Sequence, residues 1–375
     1  MHQLLGGLRN LLKIQKVHID GNIFRLNTKI SVVFLLAFCM LLTAREYVGS
    51  PIDCLGSSLP SSVVNSFCWI ESTYSVTTLL NASGPDNIVA YPGVGSVKSE
   101  VSQRKYHTYY QWVCFLLFCQ AVFFYVPRWL WKMWENGKVE AIVSALDVKS
   151  AIFQEQREAR NSLVDFLVLN LRRNNVYFTR YFCCEIACVA NVILQMVITN
   201  WVLGGGFYTY GSDVVNWYRQ DKQTTVSPMV RAFPRLTKCS FWKFGDSGTL
   251  ENREAICVLP LNILNEKIFL FLWFWYVILL ILGVLVVIYR IVVCVHVPLR
   301  YGLLQVRFPH APTLSSVVKH VSMGDVFMLS LIGQNVDSLV FSDIIRELSR
   351  RVVKEPLGDG ESARQYVGCT PANRV

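Results

Sequence analysis

The feature that most constrains this chain is an apolar run from Ile268 to Ile288, IFLFLWFWYVILLILGVLVVI, in which no residue is charged. A helix rises about 1.5 Å per residue, so the run is long enough to cross the roughly 30 Å of hydrocarbon in a bilayer. An uninterrupted run of this length is typical of a membrane helix rather than of a buried soluble helix. We therefore predict a span at 268–289, which ends immediately before Arg290.

A second run, 109–134, is apolar in its middle and aromatic at its ends: YYQWVCFLLFCQAVFFYVPRWLWKMW. Trp112 and Trp129 lie about 25 Å apart along a helix, close to the thickness of the hydrocarbon layer. Tyrosine and tryptophan collect at both membrane interfaces because each ring has an apolar body and a polar tip. This pattern predicts a second span, with Arg128 and Lys132 marking its cytoplasmic end.

Two further apolar segments, 25–44 and 181–203, complete a set of four predicted spans. The run within 25–44 is short enough for a cleaved signal peptide, but the 29-residue leader before it favours a span. The segment 181–203 contains Glu185, Asn191 and Gln195. Polar groups at membrane depth are costly unless they face other helices or water, so these residues either hydrogen-bond within the bundle or line a pore.

Composition and motifs argue against several classes of function. The chain is 53% hydrophobic and only 17% charged, with a mean hydropathy of +0.36. Its net charge of +10 is not arranged as a basic stripe interleaved with aromatics, so no nucleic-acid partner is expected. A Walker A loop, GxSxG and HExxH are all missing from the sequence, and Gly93-Val94-Gly95 lacks the third glycine of a dinucleotide loop. We expect no enzyme and no cofactor.

The distribution of charge predicts the topology. Four spans place 1–29, 128–180 and 289–375 on one side, with 24 Lys and Arg against 14 Asp and Glu. The other side, 45–108 and 204–267, has 12 basic against 11 acidic residues. By the positive-inside rule the first side is cytoplasmic, so both termini are predicted to be cytoplasmic.

The predicted fold is therefore an all-α membrane protein: a four-transmembrane-helix bundle with an α-helical cytoplasmic domain and small disulfide-stapled extracellular loops containing some β structure. The extracellular loops are 45–108 and 204–267. The cytoplasmic parts are a helical loop at 135–180, C-terminal helices at 290–354 and a disordered tail at 355–375. The segment 1–24 begins with a leucine stripe at helical spacing, too short to span. An amphipathic helix there could lie on the lipid surface or fold into the cytoplasmic mouth.

Four of the twelve cysteines, Cys54, Cys68, Cys239 and Cys257, fall in the two outer loops, two in each. An even number in an oxidising compartment indicates two disulfides. Three pairings are possible. A nested scheme, Cys54–Cys257 and Cys68–Cys239, follows if the loops lie side by side, and a bridge within one loop is the alternative. The remaining cysteines include a group at 183–188 without metal-ligand spacing, so no metal site is expected.

Several blocks of sequence resemble innexins, the gap-junction proteins of invertebrates. The signature motif is Tyr109, Tyr110, Gln111, Trp112 and Val113. The other blocks are Pro51–Cys54, Phe67–Ile70, Phe233–Cys239, Cys257–Asn262, Asn265–Lys267 leading into Phe271–Trp275, and Met323 to Leu331. The blocks occur in the same order as in innexins, and the resemblance covers most of residues 1–350. Innexins also have disulfides between the two loops, similar to the nested scheme.

The resemblance implies a plasma-membrane channel with a large pore. Subunits would form an octameric ring, alone or with other innexins, surrounded by membrane lipid. Rings in apposed cells would dock and pass ions and small metabolites. The resemblance also places segment 1–24 in the pore, with these candidate lining residues: Met1, His2, Gln3, Leu4, Leu5 and Arg9.

A non-junctional hemichannel, as in the related pannexins, is the alternative. It would be favoured by an N-glycan at the sequon Asn81-Ala82-Ser83, because a bulky sugar hinders docking. A four-span adhesion protein is a weaker alternative.

Overall fold

A computed structural model describes residues 17–56, 59–80, 89–95, 104–146, 153–171, 173–220, 226–307, 317–318 and 321–354. These residues form two compact units. Apart from the gaps, the first unit comprises residues 23–127 and 187–284, and the second comprises 17–22, 128–186 and 285–354.

The secondary structure of the described residues is mainly helical. The helices are α1 (Asn22–Val48), α2 (Ser61–Glu71), α3 (Val113–Glu135), α4 (Lys138–Leu146), α5 (Phe153–Leu169), α6 (Asn175–Val202), α7 (Phe207–Arg219), α8 (Pro228–Ala232), α9 (Pro260–Val295), α10 (Val297–Arg307), α11 (Met323–Asn335) and α12 (Ser338–Lys354). The strands are β1 (Asp53–Leu55), β2 (Thr73–Val76), β3 (Val89–Tyr91), β4 (Val94–Gly95), β5 (Arg104–His107), β6 (Leu236–Phe244) and β7 (Leu250–Val258).

Four of these helices, α1, α3, α6 and α9, are long and apolar enough to cross a membrane. Each of them contains most of one predicted span. A mostly helical protein with four candidate membrane helices is thus confirmed.

The helices differ in length from the predicted spans. Helix α9 has 36 residues, beginning at Pro260 rather than at residue 268, because hydropathy marks only the lipid-facing part of a helix. Proline suits the first position of a helix, where the missing N–H has no partner to lose. Helix α3 begins at Val113 because Tyr109–Gln111 forms a 3₁₀ turn before it.

Within the first unit, α1 packs against α9 through polar and aromatic contacts. Residues Leu26–Ile30 of α1 are π-helical, a local widening of the kind that occurs as a single turn within α-helices. Ser31 Oγ donates to Leu26 O at 3.2 Å and accepts a hydrogen bond from Trp275 Nε1 at 2.9 Å. Phe34 meets the Trp275 ring edge-on, with 5.0 Å between ring centroids.

Helix α7 reaches α9 closely because Gly211 has no side chain. A Cβ at that position would lie 2.0 Å from the Trp273 ring. The neighbouring Phe207, Tyr210 and Val214 are buried on the same face of α7. Their spacing of three and four residues is the period of an amphipathic helix. That signal is present in the sequence, where the segment was predicted as part of a loop.

The strands of the first unit form a five-stranded antiparallel sheet, in the order β1-β7-β6-β2-β5. Strands β1, β2 and β5 come from segment 45–108, whereas β6 and β7 come from segment 204–267. The hairpin β6–β7 is the longest pairing, from Leu236 opposite Val258 to Phe244 opposite Leu250. The sheet therefore joins the two predicted loops by backbone hydrogen bonds. Strands β3 and β4 form a separate two-stranded sheet.

The second unit also contains shorter helices: α4 and α5 follow α3 in sequence, and α10, α11 and α12 follow α9. Helix α11 begins with a capping box between Ser322 and Asp325. Its Gly324 lies against the backbone of Asn174, which a Cβ would approach within 2.3 Å. Helices α5 and α12 are joined by salt bridges from Arg160 to Asp343 and from Arg351 to Asp165.

Candidate functional site

Two disulfides hold the sheet of the first unit. Cys54 of β1 is bonded to Cys257 of β7, which lies directly opposite it in the strand register. Cys68 of α2 is bonded to Cys239 of β6. These are the pairs of the nested scheme, and each one links segment 45–108 to segment 204–267. All four sulphurs are buried and bonded, so they offer no thiolate to a metal ion.

The signature motif connects this sheet to the membrane bundle. Tyr109 and Tyr110 are buried, and the Tyr110 ring lies 4.8 Å from that of Trp69 on α2. Gln111 Nε2 donates to the carbonyl of Trp69, beside the disulfide at Cys68. Val113, also buried, begins α3. The motif thus fixes α2 and its disulfide at the end of a membrane helix. Trp112 is exposed instead.

A buried carboxylate anchors the second loop segment at the start of α9. Glu266 is fully buried and accepts hydrogen bonds from Arg235 Nη2 at 2.7 Å and Nε at 3.4 Å. Tyr210 of α7 donates to the Glu266 carbonyl at 3.0 Å. Asn262 Nδ2 donates to Pro234 O at 2.7 Å. These contacts fix the direction in which β6 leaves the bundle, since β6 begins at the residue after Arg235.

One face of the sheet has a cluster of charged and aromatic groups. Glu254 forms a salt bridge with Lys238 and accepts a hydrogen bond from Tyr74 at 3.0 Å. The Arg104 guanidinium lies 4.5 Å from the centre of the Tyr74 ring. Burial raises the pKa of Glu254, but the hydrogen bonds from Lys238 and Tyr74 outweigh burial and lower it overall. The carboxylate therefore stays charged and ties three strands together.

The same sheet buries a neutral histidine. His107 of β5 is hydrogen-bonded to Ser75 of β2 and is nearly inaccessible to solvent. Burial, helped by the neighbouring Lys105, lowers the pKa of His107 to about 3. His107 is consequently neutral at physiological pH and contributes a hydrogen bond rather than a charge.

The hairpin β6–β7 ends in an exposed apolar tip. Trp242 and Phe244 are 65% and 70% exposed, and Leu250 beside them is exposed as well. The turn between the strands includes Gly248 with a φ of +76°, a conformation that glycine adopts without strain. Large exposed aromatics on a rigid hairpin are typical of a surface that binds another protein.

Inside the membrane bundle, a chain of hydrogen bonds connects α9, α3 and α6. Tyr276 donates to Gln120 Oε1 at 3.0 Å, and Gln120 Nε2 donates to Thr199 Oγ1 at 2.8 Å. Gln195 Nε2 donates to Asn191 Oδ1 at 3.0 Å. All five side chains are buried. Asn191 and Gln195 thus hydrogen-bond to each other within α6, beside the interhelical bonds of Gln120, and are buried in the bundle.

In the second unit, the segment just before α1 is held by several partners. Asp20 forms a buried salt bridge with Arg128. Trp131 Nε1 donates to Ile19 O at 3.2 Å, and the Gly21 amide donates to the Tyr181 hydroxyl at 2.9 Å. The chain that leads from the N-terminal residues into α1 is therefore fixed in position. Sequence reasoning assigned Arg128 to the end of a span but did not predict its pairing with Asp20, because the two residues are 108 positions apart.

Glu185, the acidic residue within the third predicted span, has an arginine partner. Its carboxylate accepts hydrogen bonds from Arg290 Nε at 3.0 Å and from Arg290 Nη2 at 3.1 Å. The side chains are 6% and 18% exposed, respectively. The pair satisfies the requirement that a charge at membrane depth be compensated.

Several predicted residues lie outside the described part of the chain. They are the candidate pore-lining Met1, His2, Gln3, Leu4, Leu5 and Arg9, the sequon residue Asn81, and the tail 355–375.

Four apolar helices and a disulfide-bonded sheet define a multi-pass membrane protein, and comparison with known proteins identifies its family. The innexin family model matches residues 20–352. Innexin shaking-B of Drosophila melanogaster is 41% identical over 94% of this chain and 95% of its own length. Innexin inx2 of the same species is 42% identical over 97% and 99%, and innexin inx2 of Schistocerca americana is 41% identical over 94% and 98%. The chain belongs to the innexin family.

Innexins are gap-junction channel subunits of the plasma membrane. The resemblance stated from the sequence is confirmed, and so is the expectation of a channel rather than an enzyme.

Proposed function

We propose that this chain forms an octameric ring in the plasma membrane, alone or with other innexins, and that the ring docks with one in an apposed cell. Both termini are cytoplasmic in this proposal, and segments 45–108 and 204–267 are extracellular. The charge distribution supports this orientation. The disulfides support it as well, because structural disulfides persist in oxidising compartments.

The observation that carries the docking proposal is the exposed tip of the β6–β7 hairpin. Trp242 and Phe244 stand on the longest strand pair of a sheet that is cross-linked to α2 and β1 by disulfides. A preorganised apolar surface loses little conformational entropy on binding, so more of its contact energy contributes to affinity. In this proposal, the tips of opposed hairpins form the contact between the two docked rings.

Paired-cell recording tests the proposal. The double substitution Trp242→Ser and Phe244→Ser is expected to abolish junctional conductance between paired cells. Dye uptake by single cells on lowering external calcium should persist, because the bundle and the disulfides are untouched. Ile70→Ser is the matched control, since Ile70 is an exposed apolar residue of α2 outside the hairpin. Undiminished coupling in the double variant would refute docking through this tip.

Helical structure in segment 1–24, folded into the cytoplasmic mouth, completes the proposed channel. The leucine stripe of the sequence and the anchoring of residues 19–21 support it. Candidate lining residues are Met1, His2, Gln3, Leu4, Leu5 and Arg9. An arginine facing the lumen would favour anions.

The alternative, a hemichannel that does not dock, is favoured by the sequon at Asn81. Junctional conductance between paired cells that express the wild type would support docking, and dye uptake by single cells without junctional conductance would support the hemichannel.

A further inference from the structure

The second unit contains a cavity of about 510 Å³ that no part of the proposed docking or pore function uses. Its walls come from α6, α9, α10 and α11 and from residues 21–22. The volume falls within the roughly 300–1,000 Å³ of small-molecule sites. The cavity lies beside Arg290, five residues before the end of the membrane helix α9.

Two arginines, Arg290 and Arg300, line the cavity, and no described lysine, aspartate or glutamate does. The charge of Arg290 is balanced by Glu185. Arg300 donates from Nε to Val293 O at 2.8 Å and from Nη2 to Cys294 O. It forms no salt bridge with a described residue. Among the residues that the structure describes, the two arginines and Glu185 together give the cavity one unit of positive charge.

Both guanidinium groups have donors left for a ligand. A guanidinium has five N–H groups in a fixed planar fork. For each of the two arginines, Nε and Nη2 are engaged as described above. Nη1 makes no hydrogen bond to any described residue. Arg290 is also held by aromatic rings, its guanidinium being 5.5 Å from the Tyr181 ring and 5.3 Å from the Phe327 ring. Its orientation is therefore set before a ligand arrives.

The rest of the lining is of two kinds. Val293, Leu304 and Leu331 provide a buried apolar floor. Ser330 and Gln334 provide polar groups at the α11 side. A lining that combines two arginines with apolar side chains matches an anion that carries an organic part.

We propose that this cavity binds a phosphate-bearing anion, with Arg300 and Arg290 donating to its phosphate oxygens. Phosphate suits the site better than carboxylate, since it offers more oxygens to the guanidinium groups of two different helices. The headgroup of an anionic phospholipid and a soluble organic phosphate share this chemistry. Basic pockets between membrane helices on the cytoplasmic side bind phosphorylated headgroups, and the lipid source alone depends on the orientation proposed above.

Two binding measurements on the full-length channel distinguish the sources. In the first, protein in phosphatidylcholine nanodiscs is titrated with an inositol trisphosphate and, separately, with inorganic phosphate and acetate. In the second, nanodiscs containing a phosphatidylinositol monophosphate are analysed by native mass spectrometry for retained lipid. Saturable binding in either experiment is expected. Binding in the first without retention in the second identifies a soluble phosphate, and retention in the second identifies a lipid headgroup.

Variants locate the binding. Arg300→Gln should weaken it about tenfold, the loss of one charge-assisted contact. Arg300→Lys should weaken it less, because the charge remains. Ser330→Phe, which fills the cavity and leaves both arginines in place, should abolish it. Arg346→Gln on α12 is the control, since Arg346 is an exposed arginine that does not line the cavity.

Paired-cell conductance, measured on each variant, reports folding and assembly independently of ligand binding. The proposal is overturned if the wild type binds none of these phosphates. It is equally overturned if Arg300→Gln and Ser330→Phe bind as the wild type does. An Arg346→Gln variant that weakens binding as much as Arg300→Gln would indicate general attraction to basic surface and would also overturn it. Acetate binding as tightly as phosphate would contradict the choice of phosphate.

Discussion

Replacing Arg290, the partner of Glu185, should destabilise the protein far more than the loss of one arginine side chain from the surface would. In the variant Arg290→Met, the Glu185 carboxylate, which is 6% exposed in the wild type, loses all of its hydrogen bonds from the guanidinium. Breaking a buried pair by removing one partner typically costs about 3–5 kcal/mol, because an uncompensated charge remains. Glu185→Leu should be costly for the same reason, since it leaves the Arg290 charge unpaired.

The double variant Glu185→Leu/Arg290→Met distinguishes this reasoning from simple loss of packing. Replacing both members of a buried ion pair by apolar residues is often nearly neutral. The double variant should therefore be less destabilised than either single variant. The coupling energy should reach about 3 kcal/mol, at the upper end of the range for contacting residues.

The assay is thermal unfolding of the purified channel in a constant detergent, monitored by size-exclusion fluorescence. Arg253→Met is the matched control, because its partner Glu251 and Arg253 itself are 40% and 56% exposed. An exposed pair contributes about 0–1 kcal/mol, so this control should unfold close to the wild type. Additive losses in the double variant would refute the argument, because they would show that no buried charge is stranded in the single variants.

Four further predictions follow from the sheet, the loops and the N-terminal segment. The pKa of His107 is about 3 in the folded protein and about 6.5 in the unfolded chain. The contribution of His107 to the free energy of unfolding should therefore be fully present above pH 6.5 and should fall between pH 6.5 and 3, as the unfolded chain takes up the proton. In His107→Gln, unfolding measured against pH should show a flatter slope in this range. Cys68→Ser should cost about 2–4 kcal/mol, measured as a lower unfolding temperature that reduction of the wild type reproduces, and mass mapping should find Cys239 as a free thiol. If Asn81 is glycosylated, glycosidase treatment should increase electrophoretic mobility and Asn81→Gln should increase coupling between paired cells; equal mobility with and without the enzyme would contradict glycosylation. Single cysteines at 2–10, probed with a charged thiol reagent on the open channel, should block current with helical periodicity, and labelling without block would place that helix on the lipid surface.

The four membrane helices could be predicted from the sequence because a bilayer acts on local composition. Every residue of a span such as 268–289 must be compatible with hydrocarbon, so a run of consecutive apolar residues identifies the span. The ends of the helices could not be predicted in the same way. Helix α9 begins at Pro260, where polar and apolar residues are mixed, so helix formation there depends on backbone hydrogen bonds and packing.

Segments 45–108 and 204–267 contain local helical patterns that were interpreted as loops. Helices α2 and α7 have only 11 and 13 residues, and in α7 the spacing of Phe207, Tyr210 and Val214 is the feature that marks a helix. Their stability comes from packing on α9 and on the disulfide-bonded sheet rather than from helix propensity.

The sequence by itself determined the class of this protein, its four spans and its family, because hydrophobic runs and contiguous motifs are local properties. Tertiary structure alone decided which distant groups meet. Glu185 and Arg290 are 105 positions apart. In the sheet, two strands of segment 204–267 lie between strands of segment 45–108, and the walls of the arginine-lined cavity include four helices. Such contacts depend on the path of the whole chain, which no window of sequence specifies.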